Sequence, residues 1–478
     1  MKKIYTILLA LILFGQYAIG QHLVSAEYKG SKTQSDLIFQ FFNPDFKNGV
    51  DYYKVVYETK DLDGQATQVS GLMVIPDNLD KKYPLACYQH GTSSSDDDVP
   101  SRLNQESNLP IALGGMGYVV VAPDYLGLGD SPGVHPYVHA ASEAWVAVDF
   151  FRAAKEYAAD NDVFLNEQVF VTGYSQGGHS AMALHRMLEQ ELSDEFQVAA
   201  AAPMSGPYSV SGVMNDLITS GEVYGFPGYL INTFISYQEV YGNIYGSIEE
   251  AFKASYVPVI QQFANDEIGL GEMNSALIGL LNANENAVVP LKLLTDGFAN
   301  AILSQPDHPA NVATAANDTY EWAPNAPTRL YYCMADEQVP FENSTLAETT
   351  MSDLGTADVQ AIDVNSNAGH AGCVLPAVLK VIDFFNGIQV LEDAPVSTRK
   401  VIASALGLYP NPATDQVFLK NFPADGELRL FDMNGKMKMA TTIQKGDNQL
   451  FLNELNKGMY IIEIIGTDKI WTDKLMVD

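Results

Sequence analysis

Basic residues are scarce in this chain: 27 Lys and Arg stand against 58 Asp and Glu over 478 residues, for a formal charge of -31 and a pI near 4.4. Any phosphate contact would have to overcome that field, which excludes nucleic acid and anionic membrane surfaces as partners. Cysteine is scarcer still. Cys87, Cys333 and Cys373 are the only three, too few for a disulfide framework and without the C-x-x-C spacing of a zinc site. After the N-terminus no segment reads as long and apolar enough to span a bilayer, so the mature chain is expected to lack a transmembrane helix. Internal repeats and long low-complexity tracts are also missing.

What is present is ordinary globular composition, 47% hydrophobic, on a chain long enough for two or three structural units. Lys2 and Lys3, the apolar run Ile7 to Phe14 and the small-residue site Ala18-Ile19-Gly20 before Gln21 read as a secretory signal peptide over residues 1–20. In an exported protein one cysteine pair could bridge. Cys333 and Cys373 each lie three residues from Asp336 and His370, so convergence of those two would bring the thiols together; the alternative is two unrelated buried thiols.

Tyr52 to Tyr57 and Val69 to Ile75 read as strands bracketing the turn Asp61-Leu62-Asp63-Gly64, a hairpin. Short apolar runs then alternate with helical patterns. The runs are Pro84 to Gln89, Tyr118 to Ala122, Val169 to Thr172, Val198 to Ala202, Arg329 to Met334 and Val359 to Val364. Ala141 to Ala159 and Gly178 to Leu192 are helical. That order predicts an α/β fold, a mostly parallel sheet flanked by helices on both faces. About 120 residues separate Ser205 from Ala326, far too many for one crossover, so a cap insertion is expected over about 206–325. There Leu230, Phe234, Tyr237, Tyr241 and Tyr245 recur at helical spacing and predict a packing stripe. The catalytic domain is placed at 21–390, a polar linker at 391–404 and, at 405–478, a small all-β sandwich of short alternating strands with a tight turn at Asn434-Gly435. The tail is nearly balanced in charge, unlike the acidic centre.

Gly173-Tyr174-Ser175-Gln176-Gly177 follows the strand Val169 to Thr172 and precedes a helical pattern, the context of a nucleophile elbow. A serine hydroxyl is too weak an acid to attack unaided and needs a histidine base held by a carboxylate. Asp336 follows the late strand Arg329 to Met334, and His370 lies in the loop after Val359 to Val364, in the required chain order. Ser175, Asp336 and His370 are therefore the candidate triad. Glu337 and the Asp307-His308 pair are weaker rivals, while His179 and His185, on the elbow helix, are assigned to packing or solvent. The oxyanion would be held by the backbone N-H of Gln176 and of Thr92, in the loop His90-Gly91-Thr92, with Gly91 the alternative to Thr92. His90 is read as a structural hydrogen-bonder, and the Ser93 to Asp98 run as a solvated acidic loop in preference to a calcium rim.

The elbow Gly173 to Gly178, the loop Gln89-His90-Gly91-Thr92 and Ala122-Pro123-Asp124-Tyr125-Leu126-Gly127 resemble the α/β-hydrolase superfamily, and within it the secretory lipase family, over about Tyr52 to Gly387. The resemblance implies ester hydrolysis with a cap over the site, no cofactor and no metal. It carries Ser175, Asp336 and His370 over as the triad. The tail, from Leu408-Tyr409-Pro410-Asn411-Pro412 through Asp432-Met433-Asn434-Gly435-Lys436 and Lys457-Gly458-Met459-Tyr460 to Lys474-Leu475-Met476-Val477-Asp478, resembles the type A sorting domain of the type IX secretion system. That implies a secretion-machinery partner, then release or attachment at the cell surface. The expectation is thus a secreted serine hydrolase of carboxylic esters. A peptidase of the same fold, and a non-catalytic binding protein on that scaffold, are the alternatives.

Overall fold

The computed structural model describes residues 21–395 and, further on, 401–402, 406–422, 425–433, 436–453, 455–466 and 470–478. The expected signal peptide and the Asn434-Gly435 turn lie outside the described residues. Two compact units divide the chain, Met1–Asp393 and Ala394–Asp478.

In the first unit, β1 (Leu23–Lys32), β2 (Val50–Lys60), β3 (Ala66–Pro76), β4 (Lys81–Gln89), β5 (Val119–Pro123), β6 (Phe164–Tyr174), β7 (Gln197–Met204), β8 (Thr328–Tyr332) and β9 (Val359–Asp363) form one sheet in the order β1-β2-β3-β5-β4-β6-β7-β8-β9. The six strands from β5 to β9 along that order pair in parallel, and β1 to β3 extend the sheet antiparallel. The sequence reading missed β1, whose alternation is weak because most of its side chains are not buried. The hairpin β2-β3 closes at Gly64, φ +76°, whose N-H donates to the Asp61 carbonyl.

The central strands are apolar at nearly every position because both faces are covered. After the helices α1 (Gln34–Phe41) and α2 (Asn108–Gly115) come α3 (Ala140–Asp160) and α4 (Gln176–Gln190), and Leu85, Cys87, Val119, Val121, Val169 and Val171 pack on one side with α3 and α4. The alternate residues Ala86, Val120 and Phe170 pack on the other side with the helices Asn108–Gly115 and His370–Ile388. By length and composition that last helix could cross a membrane, contrary to the expectation that no such segment follows the leader. It is docked instead: Cys373, Ala377, Val381 and Phe385 are buried against the sheet.

Between β7 and β8 the cap folds as helices around a core of its own, with Leu230, Phe234, Tyr237, Met273 and Leu277 buried in it. The helix Gly228–Tyr241 carries the expected stripe as far as Tyr241 and ends at Gly242, φ +70°, so Tyr245 lies beyond it. Glu392–Asp393, within the expected linker, pairs antiparallel with Lys81–Lys82 of β4. Among its described residues the second unit has a five-stranded and a three-stranded sheet enclosing an apolar core that includes Val417, Leu430, Ile462 and Leu475.

Candidate active site

The parallel strands end on one edge, and the candidate residues stand there. Ser175 links β6 to α4 at φ 60°, ψ -123°, a conformation costly for a residue with a side chain. The turn survives because residues 173 and 177, two positions to either side, lack Cβ atoms. At Gly173 a Cβ would fall 2.1 Å from the Gly177 carbonyl oxygen, and at Gly177 one would fall 1.9 Å from that of Gln89. The Ser175 N-H donates to the Met204 carbonyl at 3.0 Å, fixing the turn to β7.

Asp336 sits in the turn after β8 and His370 begins the helix after β9. His370 Nδ1 donates to Asp336 Oδ2 at 2.7 Å, and the two side chains are only 9% and 1% exposed. Asp336 Oδ1 accepts the N-H groups of Gln338 and Val339, each at 2.9 Å, so both carboxylate oxygens are fixed. With Nδ1 as the donor, Nε2 is left as the basic nitrogen. Tyr174, next to the nucleophile, donates its hydroxyl to the His370 carbonyl at 2.6 Å, and its ring centre lies 5.0 Å from the imidazole. The candidate acid and base are brought together. No hydrogen bond joins Ser175 Oγ to His370 among the described residues, and in ligand-free sites such bonds are often long.

Glu337 has a different place from the acid: its Oε2 accepts the backbone N-H of His370 at 3.0 Å and so caps that helix. His308 starts a cap helix and its Nδ1 accepts the Ala310 N-H. A disulfide joins Cys333 to Cys373, with Cα atoms 5.9 Å apart, tying the acid turn to the base helix. Cys87 is a buried free thiol whose pKa burial pushes well up.

Gln176 is the first residue of α4, where N-H groups have no intrahelical acceptor. Gly91 passes close to the nucleophile: a Cβ there would lie 4.0 Å from Ser175 Cβ. Thr92 is next, its hydroxyl 3.2 Å from that of Tyr137. His90 is buried, with Nδ1 2.7 Å from the Gly91 carbonyl, and its own carbonyl accepts Tyr125 Oη at 3.0 Å, so it shapes this loop. In the acidic loop Asp97 pairs with Arg102 and Asp98 accepts from Ser94 and Asn104, and no metal-binding cluster occurs among the described residues.

Two spaces meet at Gln176 and Tyr137. An apolar cavity, lined also by Ser175, Met214, Leu230 and Phe234, runs beneath the cap. A cleft of mixed lining, polar at Thr92, Asp96, Asn232 and Asp266 and apolar at Ile235 and Phe263, opens between the acidic loop and the cap. Sequence reasoning missed Glu143 and His135, which bind the Gln176 side chain. A carboxylate on the otherwise Ala-rich inner face of α3 was the available signal for Glu143.

A strained serine elbow at the carboxyl edge of such a sheet, capped between β7 and β8, defines the α/β-hydrolase fold. Solved structures agree. The rice cell wall degrading esterase LipA from Xanthomonas oryzae is 27% identical, covering 77% of this chain and 98% of its own, with a TM-score of 0.68. A putative hydrolase from Legionella pneumophila subsp. pneumophila gives the same figures. Candida antarctica lipase A, at 15% identity and a TM-score of 0.56 over 76% of this chain and 82% of its own, shares the fold. No curated protein matches in sequence. Residues 407–478 match the secretion system C-terminal sorting domain.

Proposed function

We propose that this protein is an exported carboxylic-ester hydrolase that works through an acyl-enzyme. The observation that carries the reading is the Asp336-His370 hydrogen bond at the sheet edge that also presents Ser175. His370 Nε2 takes the Ser175 proton as Oγ attacks the ester carbonyl. Asp336 holds the ring in the required tautomer and stabilises the imidazolium. The N-H groups of Gln176 and Thr92, in the loop where Gly91 passes the nucleophile, receive the oxyanion. His370 then protonates the departing alcohol, and water repeats the sequence on the acyl-enzyme. Every step is proton or acyl transfer among Ser175, His370 and water, with the backbone N-H groups holding the oxyanion.

The apolar cavity from Ser175 into the cap suits the acyl chain, and the more open, mixed cleft beside Thr92 suits the alcohol. LipA, an esterase by name, supports ester over amide. The sorting domain supports export through the type IX system, with the 1–20 leader for the first membrane and 391–404 as the connection between a 21–390 enzyme and its address. A fluorophosphonate should label the wild type and leave Ser175→Ala unlabelled, and a plate of short and long acyl esters beside aminoacyl amides should show ester turnover. Labelling of Ser175→Ala at the wild-type rate, or turnover of amides alone, would overturn the reading.

A further inference from the structure

Beneath the nucleophile lies a second set of ionisable groups for which ester chemistry has no step. Glu143 on α3 is 1% exposed and His179 on α4 is 0% exposed. His179 Nε2 stands 2.8 Å from the Asn317 carbonyl oxygen, and Nδ1 stands 2.9 Å from Glu143 Oε2. A carbonyl oxygen can only accept, so Nε2 carries a proton. An ionised carboxylate can only accept as well, so Nδ1 must carry another. With the carboxylate ionised, a neutral ring would set its Nδ1 lone pair against an oxygen lone pair and leave a buried charge unmatched.

We propose that His179 is a standing imidazolium ion-paired with Glu143, and that this pair positions Gln176 for the oxyanion. The second half rests on the role given to Gln176 under the proposed function. Glu143 Oε1 accepts Gln176 Nε2 at 2.8 Å, which fixes which end of that amide is nitrogen. The other N-H of the amide donates to His135 Nε2 at 2.7 Å, and His135 Nδ1 donates to the Leu126 carbonyl at 3.0 Å. The proton between Glu143 and His179 belongs on the ring. Burial alone would raise the Glu143 carboxyl, but the His179 and Gln176 donors hold it below its ordinary value.

Burial keeps the histidines and tyrosines packed nearest the pair neutral. Burial lowers His135 and His139 to about 4, and it raises the hydroxyls of Tyr125, Tyr137 and Tyr237. Asn317 carries the network into the cap: its Oδ1 accepts the Ala140 N-H, and its Nδ2 donates to Tyr241 Oη, both at 2.9 Å. Glu143 and His179 are positioning residues that touch no substrate. A donor aimed before the reaction needs no rearrangement when charge develops, so its placement acts on the transition state and little on substrate binding.

The test has two arms on the full chain. In histidine labelled with nitrogen-15, with His179 assigned by the signal lost in His179→Gln, both ring nitrogens of His179 should be protonated at about pH 7. An unprotonated Nδ1 overturns the ion pair. In the second arm Glu143→Gln should lower kcat by roughly tenfold to a hundredfold, leave KM within about twofold, and weaken a boronic-acid mimic of the tetrahedral intermediate in parallel with kcat. An unchanged kcat, or a change confined to KM, in a variant that melts like the wild type overturns the positioning role. If Glu143→Gln does not fold, the nitrogen-15 arm decides the ion pair and Gln176→Ala, read by the same kcat, KM and boronate measurements, decides the positioning. A wild type that the fluorophosphonate does not label and that turns over no ester would overturn the proposed function while leaving the nitrogen-15 result standing.

Discussion

Asp336 and Glu337 are adjacent carboxylates with separate duties. Asp336 accepts from His370 Nδ1, whereas Glu337 accepts from the His370 backbone N-H at the start of its helix. Asp336→Asn should therefore fold but lose turnover by roughly four orders of magnitude, because an amide can donate to Nδ1 and force the wrong tautomer. Glu337→Gln keeps an oxygen acceptor at the helix start and loses only its charge there. A change of about threefold or less in kcat/KM and less than about 1 kcal/mol in stability is expected. Steady-state kinetics and thermal melts of both variants decide. Near-normal kcat/KM in Asp336→Asn, with collapse in Glu337→Gln, would reverse the two roles.

The turn after β8 and the helix after β9 come from different parts of the chain, yet they must hold a 2.7 Å hydrogen bond. Cys333 and Cys373, both fully buried and 40 residues apart, join the two elements within three residues of Asp336 and of His370. Closing a loop of that length removes about 4 kcal/mol of unfolded-chain entropy on the simplest account. The Cys333→Ser, Cys373→Ser double variant should melt more than about 5 °C lower, with kcat reduced even well below its midpoint. A normal kcat in the folded variant would confine the bridge to stability. The docked helix His370–Ile388 works at this scale too, since its apolar inner face sets where His370 begins.

For the whole molecule, pH acts on folding through buried histidines. His135 and His139 are held neutral by burial, each lowered to about 4. Below about pH 6.5 the unfolded chain takes up protons that the folded one refuses, so the stability these sites give is complete above that value and lost as pH falls towards 4. Each site is worth at most about 3 kcal/mol. Melting should shift down between about pH 7.5 and pH 5, and His139→Gln should flatten that shift. An equal shift in the variant would place the effect elsewhere.

The parallel order, the cap insertion and the tail could all be read along the chain because they rest on local periodicity. The apolar runs are short, turn-bounded and separated by helical patterns, and the 120-residue gap has no other use. Ser175 stood out because glycines at 173 and 177 bracket it between a strand and a helical pattern. Asp336 and His370 were candidates from strand order, and the fold brings their side chains within 2.7 Å. The roles of Glu143, His135, His179 and Asn317, the capping by Glu337 and the Cys333-Cys373 bridge were decided by tertiary structure alone. Each depends on which distant side chains share a dry space, and a carboxylate or imidazole takes its charge from those neighbours and not from its place in the sequence.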